Sequence, residues 1–399
     1  MSESPLDVPE LLNQCIDYLG ESTSDLLSCA QVARPWIHAA QSRLFRATHV
    51  SNRAFPTNDN TISHFCYALN TSPHLLNLVE ELDLNLVQYA GPDANSIKMI
   101  SSLPFTRLGM LKVTLSAKQE KLDAAEPLYS LVNLPSLRFL WLDCYCPPAL
   151  LMEFLKPCSP VIQHLELTFR EELRRTVQPA TPHLAWTRPL KSFKLFLCDF
   201  DDCVEPAVRL DSALGFLNLS RLGAFSIDAG VSSPWNIIRK PSIKILDMDT
   251  IADSAVVDLG DFPNLEFLRM VIYSHLRGFP TMLLPTLRTS AQCKHLHTIV
   301  ISLAAPFKLA PANCTELDSV LTSLSLASLS VVEFEQRDNP GNDSDSNQVT
   351  EFNSKLSKAL PLLCARNLLR TASRSDVSME SRWQYFETKL SPQELVNTL

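Results

Sequence analysis

His295 and His297 stand two residues apart, a spacing that puts two imidazoles on one face of an extended segment, where both could reach a metal ion. No third ligand falls at a predictable distance, so the pair reads as surface histidines. Cys144 and Cys146 flank Tyr145, but a lone Cys-x-Cys lacks the second pair that a zinc site needs. They read as buried structural thiols. Asp343, Asp345 and Asn347 begin like a calcium loop. No Gly follows Asn347, and Ser354 stands where a bidentate Glu is required. The run from Asp338 to Asn347 is therefore read as an acidic surface loop. Asp201-Asp202 and Glu171-Glu172 are solvated acidic pairs. The chain has neither a Gly-rich phosphate loop nor a Gly-x-Ser-x-Gly elbow. Nothing assembles a nucleophile, a base and an oxyanion site. The expectation is a chain with no catalytic residue, no metal ligand and no cofactor.

The elements that carry these residues follow one spacing. An apolar residue, two of any kind, an apolar, one of any kind and an apolar recur ten times. The copies are Val79, Leu82, Leu84; Leu108, Leu111, Val113; Leu137, Leu140, Leu142; Ile162, Leu165, Leu167; and Leu190, Phe193, Leu195. Then follow Leu222, Phe225, Ile227; Ile243, Leu246, Met248; Leu265, Leu268, Met270; Leu296, Ile299, Ile301; and Leu329, Val332, Phe334. The last two anchors alternate with a polar residue, as in a short strand with one buried face. The first anchor closes the turn leading in. Pro104, Pro135, Pro160, Pro189, Pro241 and Pro263 stand just ahead of their copies, where they stop a helix and steer the chain into extended geometry. One unit cannot bury its own apolar face, but stacked units bury a continuous core. The alternative is an ordinary parallel α/β sheet with strands at similar intervals.

Composition sets outer limits. The 399 residues are 46% hydrophobic and 20% charged, which excludes disorder of the whole chain. A net charge of -8 argues against non-specific nucleic-acid binding, which needs Lys and Arg on phosphates. No run of about 18 apolar residues is present, so no membrane span is expected. The first twenty residues carry Glu3, Asp7, Glu10 and Asp17 and no basic residue, unlike a secretory leader. A cytoplasmic or nuclear location is expected, with the 11 cysteines as reduced thiols.

Residues 1–46 follow a helical logic. Val8-Pro9-Glu10-Leu11-Leu12 opens a helix with Pro near its first turn, and Leu12, Ile16 and Leu19 recur at helical spacing. Thr23 or Ser24 caps a second helix bearing Leu26, Leu27, Cys29, Ala30 and Val32. Pro35 starts or kinks a third segment with Trp36, Ile37, Leu44 and Phe45.

These residues resemble two families. The ten copies, over residues 75–336, resemble leucine-rich repeats. That family adds Asn or Cys three residues after the last anchor, and only Cys198 fits here, so the side-chain ladder is nearly absent. Residues 1–46 resemble the F-box in Val8-Pro9-Glu10-Leu11-Leu12, in Ile16-Asp17-Tyr18-Leu19, in Leu26-Leu27-Ser28-Cys29-Ala30 and in Val32-Ala33-Arg34-Pro35-Trp36. Val8 replaces the usual Leu and Ala33 the usual Cys. Leu44-Phe45-Arg46 resembles the closing segment of many fungal members. The fold expected is α/β: a leucine-rich-repeat solenoid, a curved parallel sheet with outer helices, preceded by a three-helix module. Residues 47–74 are read as a helical linker. Residues 337–399 are read as the acidic loop and a C-terminal helical cap, with a helix from Phe352 to Leu369 and with Trp383, Tyr385 and Phe386 packing back onto it.

The resemblance implies a substrate-recognition subunit of an SCF-type cullin–RING ubiquitin ligase. Val8, Pro9, Leu11, Leu12, Ile16, Leu26, Leu27, Val32 and Trp36 would include the contacts to the Skp-type adaptor, with the cullin scaffold beyond it. Some of them must form the module's own core, and the sequence does not sort them. The alternative is a protein-interaction scaffold whose N-terminal helices only cap the solenoid; a third, weaker one is an α/β enzyme. Residues flanking the last two anchors point away from the core. They include Glu81, Asp83, Asp143, Glu166, Asp228, Asp247, Asp249, Glu333 and Glu335, against Lys112, Lys194 and Arg269. Phe139, Trp141, Glu166, Phe196, Asp247, Asp249, Phe267 and Arg269 are accordingly the candidate substrate contacts, and a basic protein is the expected partner. The competing expectation is that C-terminal elements fold over the aromatics, or that the acids only keep the face soluble.

Overall fold

The computed structural model describes residues 9–19, 22–32, 34–51, 61–86, 94–116, 126–145, 155, 161–169, 189–197, 217, 219–220, 222–229, 242–250, 256–272, 282–304, 311–323, 328–337 and 346–374. The chain divides into two compact units, Met1–Arg188 and Pro189–Leu399.

The first unit opens with α1 (Pro9–Tyr18), α2 (Thr23–Val32) and α3 (Arg34–Arg46), in which Pro35 occupies the second position, where its missing N–H costs nothing. Strand β1 (Ala47–Ser51) follows α3 with no residue between them. Then come α4 (Thr61–Thr71), a 3-10 turn over Pro73–Leu78, β2 (Glu81–Leu86), α5 (Ala94–Ser101), β3 (Met110–Ser116), α6 (Tyr129–Val132), β4 (Phe139–Tyr145) and β5 (His164–Phe169). The five strands lie side by side in chain order, all parallel. The second unit repeats the scheme with β6 (Ser192–Leu197), β7 (Ala224–Ala229), β8 (Ile245–Thr250), β9 (Phe267–Ile272), β10 (Thr298–Ala304), β11 (Val331–Arg337) and β12 (Leu369–Arg374), again parallel and in order. Its helices are α7 (Leu283–Thr289), α8 (Pro311–Ser323), α9 (Ser346–Ala359) and α10 (Pro361–Ala365). Chain-order pairing in each unit is what stacked repeats produce; a doubly wound sheet reverses direction at a switch point.

Every anchor of the ten copies is buried except Leu329, which is half-buried. The first anchor closes a turn as its position suggests. Leu137, Leu222, Leu265 and Leu296 donate their N–H to the carbonyl three residues back. A backbone ladder links the copies at the entrance to each strand, the end opposite to the position of the family's side-chain ladder. Gly109 and Met110 donate to Glu80 O, Arg138 and Phe139 to Gly109 O, and Gln163 and His164 to Arg138 O. The second unit does the same: Gly223 and Ala224 donate to Lys191 O, and Lys244 and Ile245 to Gly223 O. Each step satisfies two N–H groups at the entrance to a strand.

Two strands lie outside the ten copies. Strand β1 falls in the segment expected as a helical linker, and β12 in the segment expected as a helical cap. Their registers place Thr48 against Leu82 and Thr371 against Phe334, so a threonine stands at one anchor of each and breaks the apolar pattern. The helix expected from Phe352 to Leu369 is instead two helices and the first residue of β12. Pro361 cannot donate to the ladder of α9, and a new helix starts there. Asn367, at φ 55, closes α10. Asn367 N–H donates to Cys364 O and Leu368 N–H to Leu363 O, the paired bonds of a left-handed helix cap.

A buried carboxylate fastens this end. Asp318 in α8 is 2% exposed and accepts from Leu362 N at 2.8 Å and Leu363 N at 2.9 Å. It satisfies the start of α10 from 44 residues away, and Arg366 reaches back to Thr322 O at 2.6 Å. Asp318→Ala is expected to lower stability by about 2 kcal/mol, the range for hydrogen bonds to a charged group. Urea unfolding of the full chain checks it, and a change within about 0.5 kcal/mol would show the cap to be dispensable.

Candidate interaction surfaces

Helix α1 packs on α3, and α3 on α2. Leu12, Ile16, Leu26 and Ala40 close a small core, with Leu19, Cys29, Ala30, Trp36, Ala39 and Leu44 packed against it. The candidate adaptor residues therefore separate. Leu12, Ile16, Leu26 and Trp36 hold the module together. Leu11 is 43% exposed, Leu27 50% and Val32 70%, so these three face outward. Tyr18, which sequence reasoning did not single out, is 94% exposed. Leu11 and Tyr18 are seven residues apart on α1, two helical turns, which places them on one side. That spacing was the available signal for Tyr18. Val8 lies outside the described residues, and Pro9 opens α1.

In the first unit the face opposite the anchors is half-open at β1 to β4. Glu81, Asp83, Met110, Lys112, Phe139 and Trp141 are all partly exposed there. Asp83 Oδ2 takes His49 Nδ1 at 3.1 Å and Lys112 Nζ at 3.0 Å. The same ammonium sits 3.9 Å from the centre of the Trp141 ring. Trp141 Nε1 donates to Thr168 Oγ1 at 3.4 Å. Phe139 stacks on His164 with centroids 4.2 Å apart. Toward β5 the face closes: Asp143, His164, Glu166 and Thr168 are all buried.

In the second unit the expectation of an open face does not hold at the described positions of β6 to β10, while Val331 and Glu333 on β11 are partly exposed. Lys194, Ser226, Asp247 and Arg269 are buried, as are Phe267, Val271, Ser302 and Glu335. Strand β9 is buried at all six residues, on both faces. Alternation still assigns these side chains away from the anchors, but pointing away from one layer is not exposure. The charges are paired. Arg269 Nε and Nη2 donate to Glu335 Oε2 at 3.1 and 2.8 Å, and Arg269 Nη1 stands 3.6 Å from Asp247 Oδ2. Of the eight candidate substrate contacts, Phe139 and Trp141 are partly exposed and together. Glu166, Asp247, Phe267 and Arg269 are buried, and the side chains of Phe196 and Asp249 lie outside the described residues.

His295 is exposed and His297 bonds Thr298 Oγ1 at 2.9 Å. Among the described residues no three His, Cys, Asp or Glu side chains group as metal ligands. Burial pushes the thiols of Cys66 and Cys293 up to about 11, with Asp258 adding to the effect at Cys293. Both stay protonated near neutral pH and are poor nucleophiles. Cys144 and Cys146, the calcium-like run at Asp343, and Trp383, Tyr385 and Phe386 have side chains outside the described residues. Among the described residues no helix is long and apolar enough to cross a membrane. Comparison with protein-family models and with curated proteins finds no match.

Proposed function

We propose that this chain is a substrate receptor of an SCF-type cullin–RING ubiquitin ligase, with α1–α3 docking the Skp-type adaptor and the repeat strands holding a protein substrate. The observation that carries this reading is the outward set of Leu11, Tyr18, Leu27 and Val32 on a module whose core is already closed by other residues. Apolar and aromatic side chains left outside a complete core are the usual anchors of an interface. The F-box resemblance supplies the partner class. Catalysis in this picture is proximity: the receptor raises the concentration of substrate lysines near a ubiquitin-loaded enzyme held elsewhere in the complex. In this picture the reacting groups come from the other subunits.

A second reading has its own support. Helix α3 runs straight into β1, Glu80 N–H donates to Arg46 O at 3.0 Å, and Arg46 pairs with Glu80 at 3.4 Å. The module thus also caps the first copy, as a solenoid end requires. Capping explains α3. It does not explain apolar side chains on the outer sides of α1 and α2. The separating experiment is capture of the adaptor by the full chain and by a Leu27→Asp, Val32→Asp variant. The expected loss is at least thirtyfold in affinity, since two interface anchors carry roughly 2 kcal/mol or more between them. Equal capture by both forms would leave only the cap.

A further inference from the structure

We infer that Asp83 and Trp141 form a slot for an arginine side chain of an extended basic segment, and that Lys112 fills this slot while no partner is bound. The inference rests on reading the sheet face of the first unit as the substrate surface. It is independent of adaptor docking.

The slot has the two walls that a planar cation uses. One is a carboxylate and the other is an indole face, and the Lys112 ammonium already lies between them, 3.0 Å from Asp83 Oδ2 and 3.9 Å from the ring centre. A single ammonium leaves the site half-used. Asp83 Oδ2 takes both His49 and Lys112, while Oδ1 is buried behind the present contacts and has no hydrogen-bond partner. A guanidinium offers two parallel N–H groups to both carboxylate oxygens and a flat face to the indole, which an ammonium cannot do. Lys112 and Asp83 are 28% and 27% exposed, so the pair lies at the edge of solvent and not in the core. The lysine stem is flexible enough to swing clear.

Charge favours the same occupant. Across β2 to β5 the positions facing away from the anchors carry Glu81, Asp83, Asp143 and Glu166 against Lys112 alone. The open part of the face also carries Phe139 and Met110, which suit the aliphatic stems of an extended chain. The second unit has no equivalent open slot at its described positions, because Arg269 is 3% exposed and doubly engaged.

The test is fluorescence anisotropy of labelled nona-arginine, nona-lysine and nona-glutamate with the full-length chain near physiological salt. Nona-arginine is expected to bind about tenfold tighter than nona-lysine, the margin of a bidentate stacked contact over a point charge. Nona-glutamate should not bind. Trp141→Leu, which keeps bulk but removes the π face, should weaken nona-arginine about fivefold or more. Lys112→Met, which empties the slot and keeps the stem, should tighten it. A thermal melt of each variant shows that it remains folded, and Asp83→Asn provides a second route if Trp141→Leu unfolds. Non-specific attraction would be indifferent to Trp141, so unchanged affinity in Trp141→Leu overturns the inference, as does weaker binding in Lys112→Met. Adaptor capture is measured on the same samples. Loss of peptide selectivity with capture intact removes the slot alone, and loss of capture with selectivity intact removes the ligase reading alone.

Discussion

Replacing Arg269 by Ala is expected to lower the unfolding free energy by about 3–5 kcal/mol, the cost of leaving buried charges without their partner. Arg269 is 3% exposed, and its guanidinium ties Glu335 on β11 to β9 through two bonds and stands beside Asp247 on β8. Ser226 Oγ donates to Asp247 Oδ2 at 3.2 Å, and Asp247 Oδ1 has no partner. Removing the cation would take the charged partner from two carboxylates, 4% and 1% exposed, in a medium where an ion is poorly solvated. Arg269→Met combined with Asp247→Leu and Glu335→Leu removes all three charges and is expected to restore most of the lost stability, because a buried ion pair replaced by apolar groups is often neutral or better. Urea unfolding followed by circular dichroism reads both. A loss below about 1 kcal/mol in Arg269→Ala would mean that water reaches this face in solution, and would reopen it as a partner surface.

That burial was beyond what the sequence could show, and the reason is physical. Period-two alternation reports which side of a strand a residue is on. It does not report whether anything lies over that side. Leu246, Leu268 and Ile299 were legible because an apolar residue at each anchor states its own environment, and all three are fully buried. Asp247 and Arg269 were misleading because charge at an alternate position ordinarily means solvent, whereas here the charges satisfy each other. The strands β1 and β12 were missed for a related reason. Among the described strands β1 pairs with β2 and β12 with β11, and an anchor with a described neighbour on one side bears less burial and tolerates Thr48 or Thr371. The break at Pro361 was legible in principle, since proline inside a helical run ends it at the preceding residue.

The candidate site in the helical module was legible as a set and not as a division. Apolar residues at helical spacing mark both a core face and a docking face, and forty residues hold too few turns for the two to separate by period alone. Packing separates them. Leu12 is 3% exposed and belongs to the core, whereas its neighbour Leu11 is 43% exposed.

Two adjacent leucines should therefore fail in different ways. Leu12→Ala removes a core side chain and is expected to cost about 2–5 kcal/mol. In a module with four fully buried residues, that cost is comparable to the stability such a small core can supply. Amides of α1, α2 and α3 should then exchange with solvent near their unstructured rate, and adaptor capture should be lost as a consequence. Leu11→Ala removes a side chain that the module does not use for its own packing. Exchange protection in the three helices should stay within about threefold of the parent, because substitution at an exposed site changes stability by about 0.5 kcal/mol or less. Capture should nonetheless fall by roughly tenfold or more, the loss expected from one interface anchor. Hydrogen exchange and adaptor capture measured on the two single variants distinguish a docking face from a second layer of core. If Leu11→Ala opens the helices as Leu12→Ala does, the exposed leucine is structural. If Leu11→Ala leaves both capture and protection unchanged, the outer side of α1 is not where the adaptor binds.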